Sequence, residues 1–201
     1  MTPPSSWPDA SAPIILDASA VINLNGSGAA SAILSALARE FIVPQDVYDE
    51  LKRGSTNGRR DFEALDDLIG EKIIRCQDIS DGSGLFETLT IGPSALTLDD
   101  GEAATIALAF ELNGTAVIDE SKGRRLACQF AAGVPLLTSV EIFCHSAVLN
   151  ALGSNLADAV FNALQQARMQ VLPSHQAWIV KLLGRERVAL CHSLPRSLRQ
   201  L

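Results

Sequence analysis

Short apolar segments of strand length alternate along this chain with longer, helix-sized segments. Two of the apolar runs, Ile14-Ile15-Leu16 and Ala116-Val117-Ile118, end directly in an aspartate. Alternation of this kind is typical of a parallel sheet whose two faces are covered by helices. The sequence therefore predicts an α/β fold of three layers, α/β/α, with a central and mostly parallel sheet.

The positions of the elements follow from apolar periodicity and from turn residues. Strands are expected at 14–16, 41–43, 72–79, 116–118 and 134–137. Helices are expected at 18–24, 31–39, 46–52, 59–69, 102–112, 122–132, 141–152, 156–169 and 174–183. Loops are expected at 53–58 and 81–93, because both stretches are rich in glycine and small polar residues. The segments after residue 140 predict extra C-terminal helices.

The chain length of 201 residues suits one domain with appendages. Residues 1–12 are rich in proline and serine and are expected to form a flexible N-terminal arm. Residues 13–184 are expected to form the domain. Residues 185–201 are expected to be a basic C-terminal tail, because this segment contains several arginines and only one acid, Glu186.

Composition excludes several classes of protein. An apolar content of 47% excludes disorder over most of the length. The net charge of −7 argues against a protein that coats DNA non-specifically, and an aromatic content of 5% argues against a platform for stacking bases. The four cysteines and three histidines have no zinc-binding spacing.

The sequence also bears on location. The N-terminus lacks the basic and apolar regions of a secretory signal, and charges interrupt every apolar run well before the ~20 residues of a membrane span. We therefore expect a cytoplasmic protein with no membrane association.

Four acids are expected to meet at one edge of the sheet. Asp17 and Asp119 follow strands, and ligand sites of parallel sheets lie beyond the carboxyl ends of the strands. Glu102 opens the helix before the Asp119 strand, and Glu50 lies in the helix after the second strand. Because carboxylates packed together repel, such a cluster needs a cation or raised pKa values. Mg²⁺ or Mn²⁺ suits oxygen ligands of this kind.

Four segments, in order, resemble the sequence motifs of PIN domains. The first is Leu16-Asp17-Ala18-Ser19-Ala20-Val21-Ile22-Asn23-Leu24, and the second runs from Val43-Pro44 through Val47-Tyr48-Asp49-Glu50-Leu51. The third begins Gly101-Glu102-Ala103-Ala104, and the fourth begins Ile118-Asp119-Glu120-Ser121-Lys122-Gly123-Arg124. The resemblance covers about residues 13–140 and is greatest to the branch with a Gly-Glu-Ala motif, which is related to bacterial and archaeal toxins.

This resemblance implies a PIN-like α/β/α fold and a metal-dependent endoribonuclease. It implies that Asp17, Glu50, Glu102 and Asp119 form the catalytic quartet, with Asp17, Glu102 and Asp119 as ligands of Mg²⁺ or Mn²⁺. It further implies an RNA substrate, an antitoxin protein that blocks the site, and a homodimer. Either Glu50 or Glu102 could orient the attacking water or take its proton.

Further residues near these motifs are candidates for supporting roles. Lys122, Arg124 and Arg125 directly follow Asp119, so they either hold RNA phosphates or form a charged helix face. Glu120, Thr138 and Ser139 are candidates for additional polar positions at the rim of the site.

Structural and functional alternatives remain open from the sequence. Asp17 and Asp119 could cap helices, Asp99 and Glu102 could form a capping box, and Glu50 could be a solvated helix residue. One alternative function is a catalytically silent binding module on the same fold. Another is a Mg²⁺-dependent phosphohydrolase, which the sequence disfavours because Ser19 stands where such enzymes carry a second aspartate.

Overall fold

The computed structural model describes residues 7–9, 11–55, 60–80 and 84–200. Its strands are β1 Ile14–Leu16, β2 Phe41–Pro44, β3 Ile74–Gln77, β4 Thr115–Val117 and β5 Leu136–Leu137. The helices before β4 are α1 Ala18–Gly26, α2 Ala30–Leu37, α3 Gln45–Ser55, α4 Asp61–Gly70, α5 Leu85–Thr90 and α6 Asp100–Glu111. The later helices are α7 Ser121–Phe130, α8 Ser139–Cys144, α9 Ser146–Leu152, α10 Leu156–Gln166, α11 Pro173–Leu190 and α12 Arg196–Arg199.

The described strands form one parallel sheet in the order β3-β2-β1-β4-β5. Ile14 of β1 lies opposite Phe41 of β2 on one side and Thr115 of β4 on the other. The chain first extends the sheet from β1 to β3 and then returns to the other side of β1. This order, with helices on both faces, confirms the predicted three-layer α/β/α fold.

Alternation along the strands supplies the two apolar cores. Ile14 and Leu16 contribute to the larger core, which includes residues of α1, α2 and the C-terminal helices. Ile15 points the opposite way into the smaller core, which includes residues of α5, α6 and α7. Successive side chains of a strand face opposite sides of the sheet, so a fully apolar run such as β1 must be covered on both faces.

Several element boundaries differ from the sequence expectations. The segment 81–93 was expected as a loop but contains α5, whose Leu85 and Leu89 are buried one turn apart. The expected helix 141–152 is divided into α8 and α9 at His145, whose ring nitrogen accepts a hydrogen bond from the Ala147 N–H. The glycines around α5 make its helical periodicity hard to recognise in the sequence. The extended backbone at His145 interrupts the helix expected at 141–152.

The segment expected as a basic tail packs against the body of the protein as far as Leu198. Helix α11 continues to Leu190 across a non-helical Gly184, and Val188, Cys191 and Leu194 are buried. Arg187 pairs with Asp158 of α10 at 2.6 Å. These apolar positions recur every three residues and pack on the larger core. The sequence prediction missed them because the same segment contains four arginines, Arg185, Arg187, Arg196 and Arg199.

Parts of the predicted N-terminal arm contact the domain. The Trp7 ring packs edge-on against the His145 ring at 4.3 Å. The Arg39 guanidinium donates hydrogen bonds to the carbonyl oxygens of Asp9 and Ala12. Residues 1–6 and 10 of that arm lie outside the described residues, so the flexibility of the arm stays a prediction.

No single helix in the described ranges has the length and hydropathy needed to cross a bilayer. Helices α1 and α2 pass that test only when taken together, and the pair is bent by 113°.

Candidate active site

The site lies where the order of the strands reverses. β1 and β4 are neighbours in the sheet but are distant in sequence, and the helices that follow them cover opposite faces. A crevice opens at such a switch point beyond the carboxyl ends of the strands. Asp17 directly follows β1 and Asp119 follows β4 by two residues, so both aspartates reach this crevice.

Asp119 is buried, with 2% of its surface exposed, and a polar network holds it from two elements. Its Oδ1 accepts a hydrogen bond from the Ser139 N–H at 2.8 Å. Its Oδ2 accepts from Ser139 Oγ at 2.5 Å and from Asn23 Nδ2 at 2.8 Å. Burial raises the pKa of Asp119, whereas these hydrogen bonds and the charge of Arg124 oppose the rise. The network fixes the position of the carboxyl group and partly offsets the effect of burial on its pKa.

Asp17 is the N-cap of α1 and is equally buried. Its Oδ1 accepts from the Ala20 N–H at 2.6 Å, and its Oδ2 accepts from Ser19 Oγ at 2.8 Å. Burial, followed by the negative charge of Asp119, raises the pKa of Asp17 well above its ordinary value. We call Asp17 and Asp119 the aspartate pair.

Glu102 lies in the first turn of α6 and reaches the site through a close contact with α7. A Cβ atom placed on Gly123 would come within 2.7 Å of Glu102 Oε1, so only glycine gives this carboxylate its room. Glu102 Oε1 is buried and has no hydrogen-bond partner among the residues that the structure describes. Burial, and then the charges of Asp99 and Glu120, raise the pKa of Glu102 to about 7.

Glu50 approaches from α3 in the same manner. A Cβ atom on Gly101 would lie 2.6 Å from Glu50 Oε2 and 3.6 Å from Val47 Cγ2. The two glycines therefore act as a matched pair, since Gly101 admits Glu50 and Gly123 admits Glu102. We call Glu50 and Glu102 the glutamate pair; both are half-buried and are carried by helices.

The four acids line two adjoining pockets. The acidic pocket, about 140 Å³ in volume, is lined by Asp17, Ala18, Ser19, Ile22, Glu50, Asp99, Glu102 and Glu120. The side pocket, also about 140 Å³, is lined by Ser19, Ile22, Asn23, Asp119, Glu120, Ala167, Arg168 and Gln170. Ser19, Ile22 and Glu120 border both pockets, so Asp119 lies immediately beside the other three acids.

The donor chemistry of this site fits a hard divalent cation. Carboxylate oxygens are the ligands that Mg²⁺ and Mn²⁺ prefer, and burial together with the neighbouring acids raises the pKa values of Asp17 and Glu102. The unpartnered Glu102 Oε1 is an available ligand atom. Within the described residues, no three His, Cys, Asp or Glu side chains are already gathered as a metal cluster. The side chains that line the site therefore have the chemistry of a cation site, although they are not arranged as a closed metal cluster.

The basic residues after Asp119 have different roles in the structure. Arg124 is half-buried and donates to the carbonyl oxygens of Ile118 at 3.2 Å and Leu137 at 3.0 Å, joining the ends of β4 and β5. Arg125 donates to the Ala95 carbonyl at 3.1 Å. Lys122 is exposed, and its charge opposes the rise in the pKa of Glu102. Of the three, Lys122 therefore has the strongest claim to a role at the site.

The three additional candidates for the rim of the site, Glu120, Thr138 and Ser139, also differ in their contacts. Ser139 contacts Asp119 directly through two hydrogen bonds. Thr138 instead caps α8, where it forms a capping box with Glu141. Glu120 is exposed and borders both pockets.

Some of the acids cap helices, as the sequence also allowed, and others do not. Asp17 does cap a helix, and the Asp99 carboxylate accepts from the Glu102 N–H at 2.9 Å. Asp119, however, does not cap α7, because Glu120 holds that position without a side-chain bond. Asp119 bonds instead to Ser139 and Asn23, which lie on elements that a local capping role would not involve.

Sequence reasoning did not propose Asn23, Ser19 or Asp99 as site residues. Asn23 is 3% exposed and donates to both Asp119 Oδ2 and Ser139 Oγ. A signal for it exists in the sequence, because Asn23 lies one helical turn after Ser19 and stands between the apolar residues Ile22 and Leu24. A buried amide on such a helix face needs polar partners, and here the partner is a site residue.

Comparison with known proteins gives one positive finding. A family model described as a PIN domain matches residues 13–185. No curated protein and no solved structure matches the chain.

Proposed function

The chain belongs to the PIN-domain family, and from this premise we propose that it is an endoribonuclease that hydrolyses RNA phosphodiester bonds with Mg²⁺ or Mn²⁺. PIN domains are generally nucleases and usually use divalent metal ions. The observation that carries the proposal is the meeting of Asp17, Glu50 and Glu102 in one small pocket with Asp119 beside it.

Asp17, Glu102 and Asp119 are the proposed metal ligands. The aspartate pair is fixed at strand ends by hydrogen bonds, which leaves little side-chain entropy to lose on binding. A bound divalent ion would lower the pKa of a coordinated water and offset negative charge that develops on the phosphate. The surrounding chain supplies orientation, since Ser19, Asn23 and Ser139 each donate to an aspartate.

The glutamate pair is the proposed source of proton transfer. A group whose pKa lies near neutrality both accepts and releases a proton efficiently. In the metal-free protein, burial raises the pKa of Glu102 to about 7, and its Oε1 has no hydrogen-bond partner among the described residues. A Glu102 carboxylate oxygen that the ion leaves free is therefore the stronger candidate to accept the proton of the attacking water. Glu50, which lies beside Gly101 and lines the same pocket, would orient that water.

The finer biological assignments rest on the resemblance of the motifs. We propose a toxin-like role in the cytoplasm, inhibition by an antitoxin protein and assembly as a homodimer on the same grounds. In sequence, the apolar stripe of α10 is compatible with core packing, a dimer interface or an antitoxin-binding surface. In the structure it contributes to the larger core, since Leu156, Ala159, Val160, Ala163 and Leu164 are all buried. A dimer would therefore use a different surface.

Cleavage of a structured RNA pool tests the proposed function. The wild type, Asp17→Asn and the control Asp67→Asn are compared with Mn²⁺ and with EDTA. Asp67 is an exposed residue of α4, so its substitution makes the same charge change away from the site. We expect Mn²⁺-dependent cuts from the wild type and the control and none from Asp17→Asn.

Two results would contradict the proposal. Cleavage that persists in EDTA would exclude the metal mechanism, and full activity of Asp17→Asn would exclude the assignment of the acids. A well-folded wild type that binds RNA but never cuts it would instead favour a silent binding module. Circular dichroism melts of all three proteins establish that each is folded.

A further inference from the structure

A third pocket extends the site away from the acids. It has a volume of about 270 Å³ and is lined by Ile22, Gly26, Asp61, Gln166, Ala167 and Arg168. Ile22, Ala167 and Arg168 also line the side pocket that contains Asp119. Ile22 lines all three pockets, which therefore adjoin one another from Glu102 to the turn between α10 and α11. We call these three adjoining pockets the groove.

The chain pins this turn at two places. Ala167 lies so close to Gly26 at the end of α1 that a Cβ atom on Gly26 would come within 2.9 Å of the Ala167 Cβ. On the other side of Arg168, Met169 is 1% exposed and belongs to the larger core. Arg168 thus projects from a backbone that is anchored on both sides.

Arg168 is available to a ligand. It is exposed, and it forms no hydrogen bond or ion pair with any residue that the structure describes. This contrasts with Arg124 and Arg125, whose guanidinium groups are bonded to backbone carbonyls. The neighbouring Gln166 and Gln170 are exposed as well and line the same groove.

The positive charge of Arg168 would help the proposed substrate to bind near the acids. An acidic pocket repels a polyanionic substrate, so binding requires positive charge near the acids. An arginine beside the site contributes a planar, multidentate donor for a phosphate without neutralising the acids themselves.

We propose that Arg168 binds an RNA phosphate next to the scissile one, and that single-stranded RNA reaches the acids along the groove over Ile22. This inference rests on the proposed endoribonuclease function. It makes Arg168 a binding residue outside the four sequence motifs.

The backbone of Arg168 makes a clean test possible. Its φ of +56° lies in the left-handed region, where asparagine is tolerated better than other non-glycine residues. Arg168→Asn therefore removes the charge without straining the turn, and the unfolding temperature should not fall. The control is Arg185→Gln, which removes a charge from an exposed residue outside the groove.

Binding is measured with a pool of short, fluorescently labelled single-stranded RNAs on the Asp17→Asn background, which prevents cutting. We expect Arg168→Asn to weaken binding roughly three- to tenfold, as one exposed charge-assisted contact would. The slope of log affinity against log salt should become shallower by about 0.7, the value for one phosphate contact to a single strand. Arg185→Gln should change neither quantity.

Steady-state cleavage by the otherwise wild-type protein tests the role of Arg168 separately from the proposed nuclease activity. Arg168→Asn should raise KM with little change in kcat, because a flanking contact acts equally on ground and transition states. Unchanged KM and salt slope in an active enzyme would overturn the assignment of Arg168 alone. A wild type that binds RNA through Arg168 but never cuts it would overturn the nuclease and leave this inference standing. Absence of any RNA binding would overturn both.

Discussion

The aspartate pair and the glutamate pair border the same crevice but are built differently. Asp17 and Asp119 extend from strand ends, are 2% exposed, and are held by hydrogen bonds. Glu50 and Glu102 extend from helices, are half-buried, and gain their positions because Gly101 and Gly123 leave space. The difference fits the roles proposed above, in which the fixed pair binds the ion, Glu102 completes the proposed ligands and the less restrained pair handles protons.

Replacing Asp119 should have the largest effect on activity. Asp119→Asn removes a charge from the fixed pair and should lower metal-dependent cleavage roughly hundredfold to a thousandfold, the range for loss of one preorganised electrostatic group. Single-turnover cleavage with saturating Mn²⁺ measures the loss, and Asp67→Asn serves as the control for charge. Activity within a few-fold of the wild type would remove Asp119 from the metal site.

Replacing Glu102 should lower cleavage roughly hundredfold and should also change the pH dependence of stability. Its pKa is raised from 4.5 to about 7 on folding, so it contributes stability fully below pH 4.5 and loses that contribution as pH rises through 7. In metal-free solution, the unfolding temperature of the wild type should therefore fall across this window relative to that of Glu102→Gln.

Thermal melts at closely spaced pH values measure that difference directly. Subtracting the two proteins cancels the other carboxyl groups that titrate in the same range. A constant difference from pH 4.5 to 7 would mean that Glu102 titrates normally and is not the proton acceptor.

The space beside the glutamate pair can be filled without altering any acid. Gly123→Ala places a Cβ within 2.7 Å of Glu102 Oε1 and 2.9 Å of Ile118 Cγ2, so the carboxylate must move. We expect roughly tenfold slower cleavage, because small misplacements at a reacting site are costly. Gly70→Ala is the matched control, since no atom of the described part of the chain lies within 4 Å of a Cβ there. Equal activity of the two variants would show that the position of Glu102 is unimportant.

The smallest effect is expected from the support of the aspartate pair. Ser139→Ala removes one of three hydrogen bonds to Asp119 and leaves those from the Ser139 N–H and Asn23. Cleavage should slow several-fold, and stability should fall by about 1 kcal/mol, the usual net value of a hydrogen bond. Urea denaturation and initial rates measure the two changes. A loss as large as that of Asp119→Asn would mean that Ser139 itself contacts the substrate.

Much of the architecture was predictable because the relevant signals are local. Fully apolar runs such as 14–16 must be covered on both faces, which predicts a parallel sheet before any contact is known. The aspartates that end two of these runs predict the edge at which a site forms. The short helix Leu85–Thr90 was missed because a single amphipathic turn between glycines has too little periodicity to detect.

The sequence by itself determined the layers of the fold, the presence of four acids in the order of the family motifs, and the aspartates at the strand ends. Only the tertiary structure decided what surrounds them. Asn23 and Ser139 meet at Asp119 from segments 116 residues apart, and Gly123 faces Glu102 across two helices. Arg168 enters the groove because Ala167 packs against Gly26. The physical reason is that periodicity reports which face of an element is buried, whereas contacts between elements depend on close packing among residues far apart in the chain.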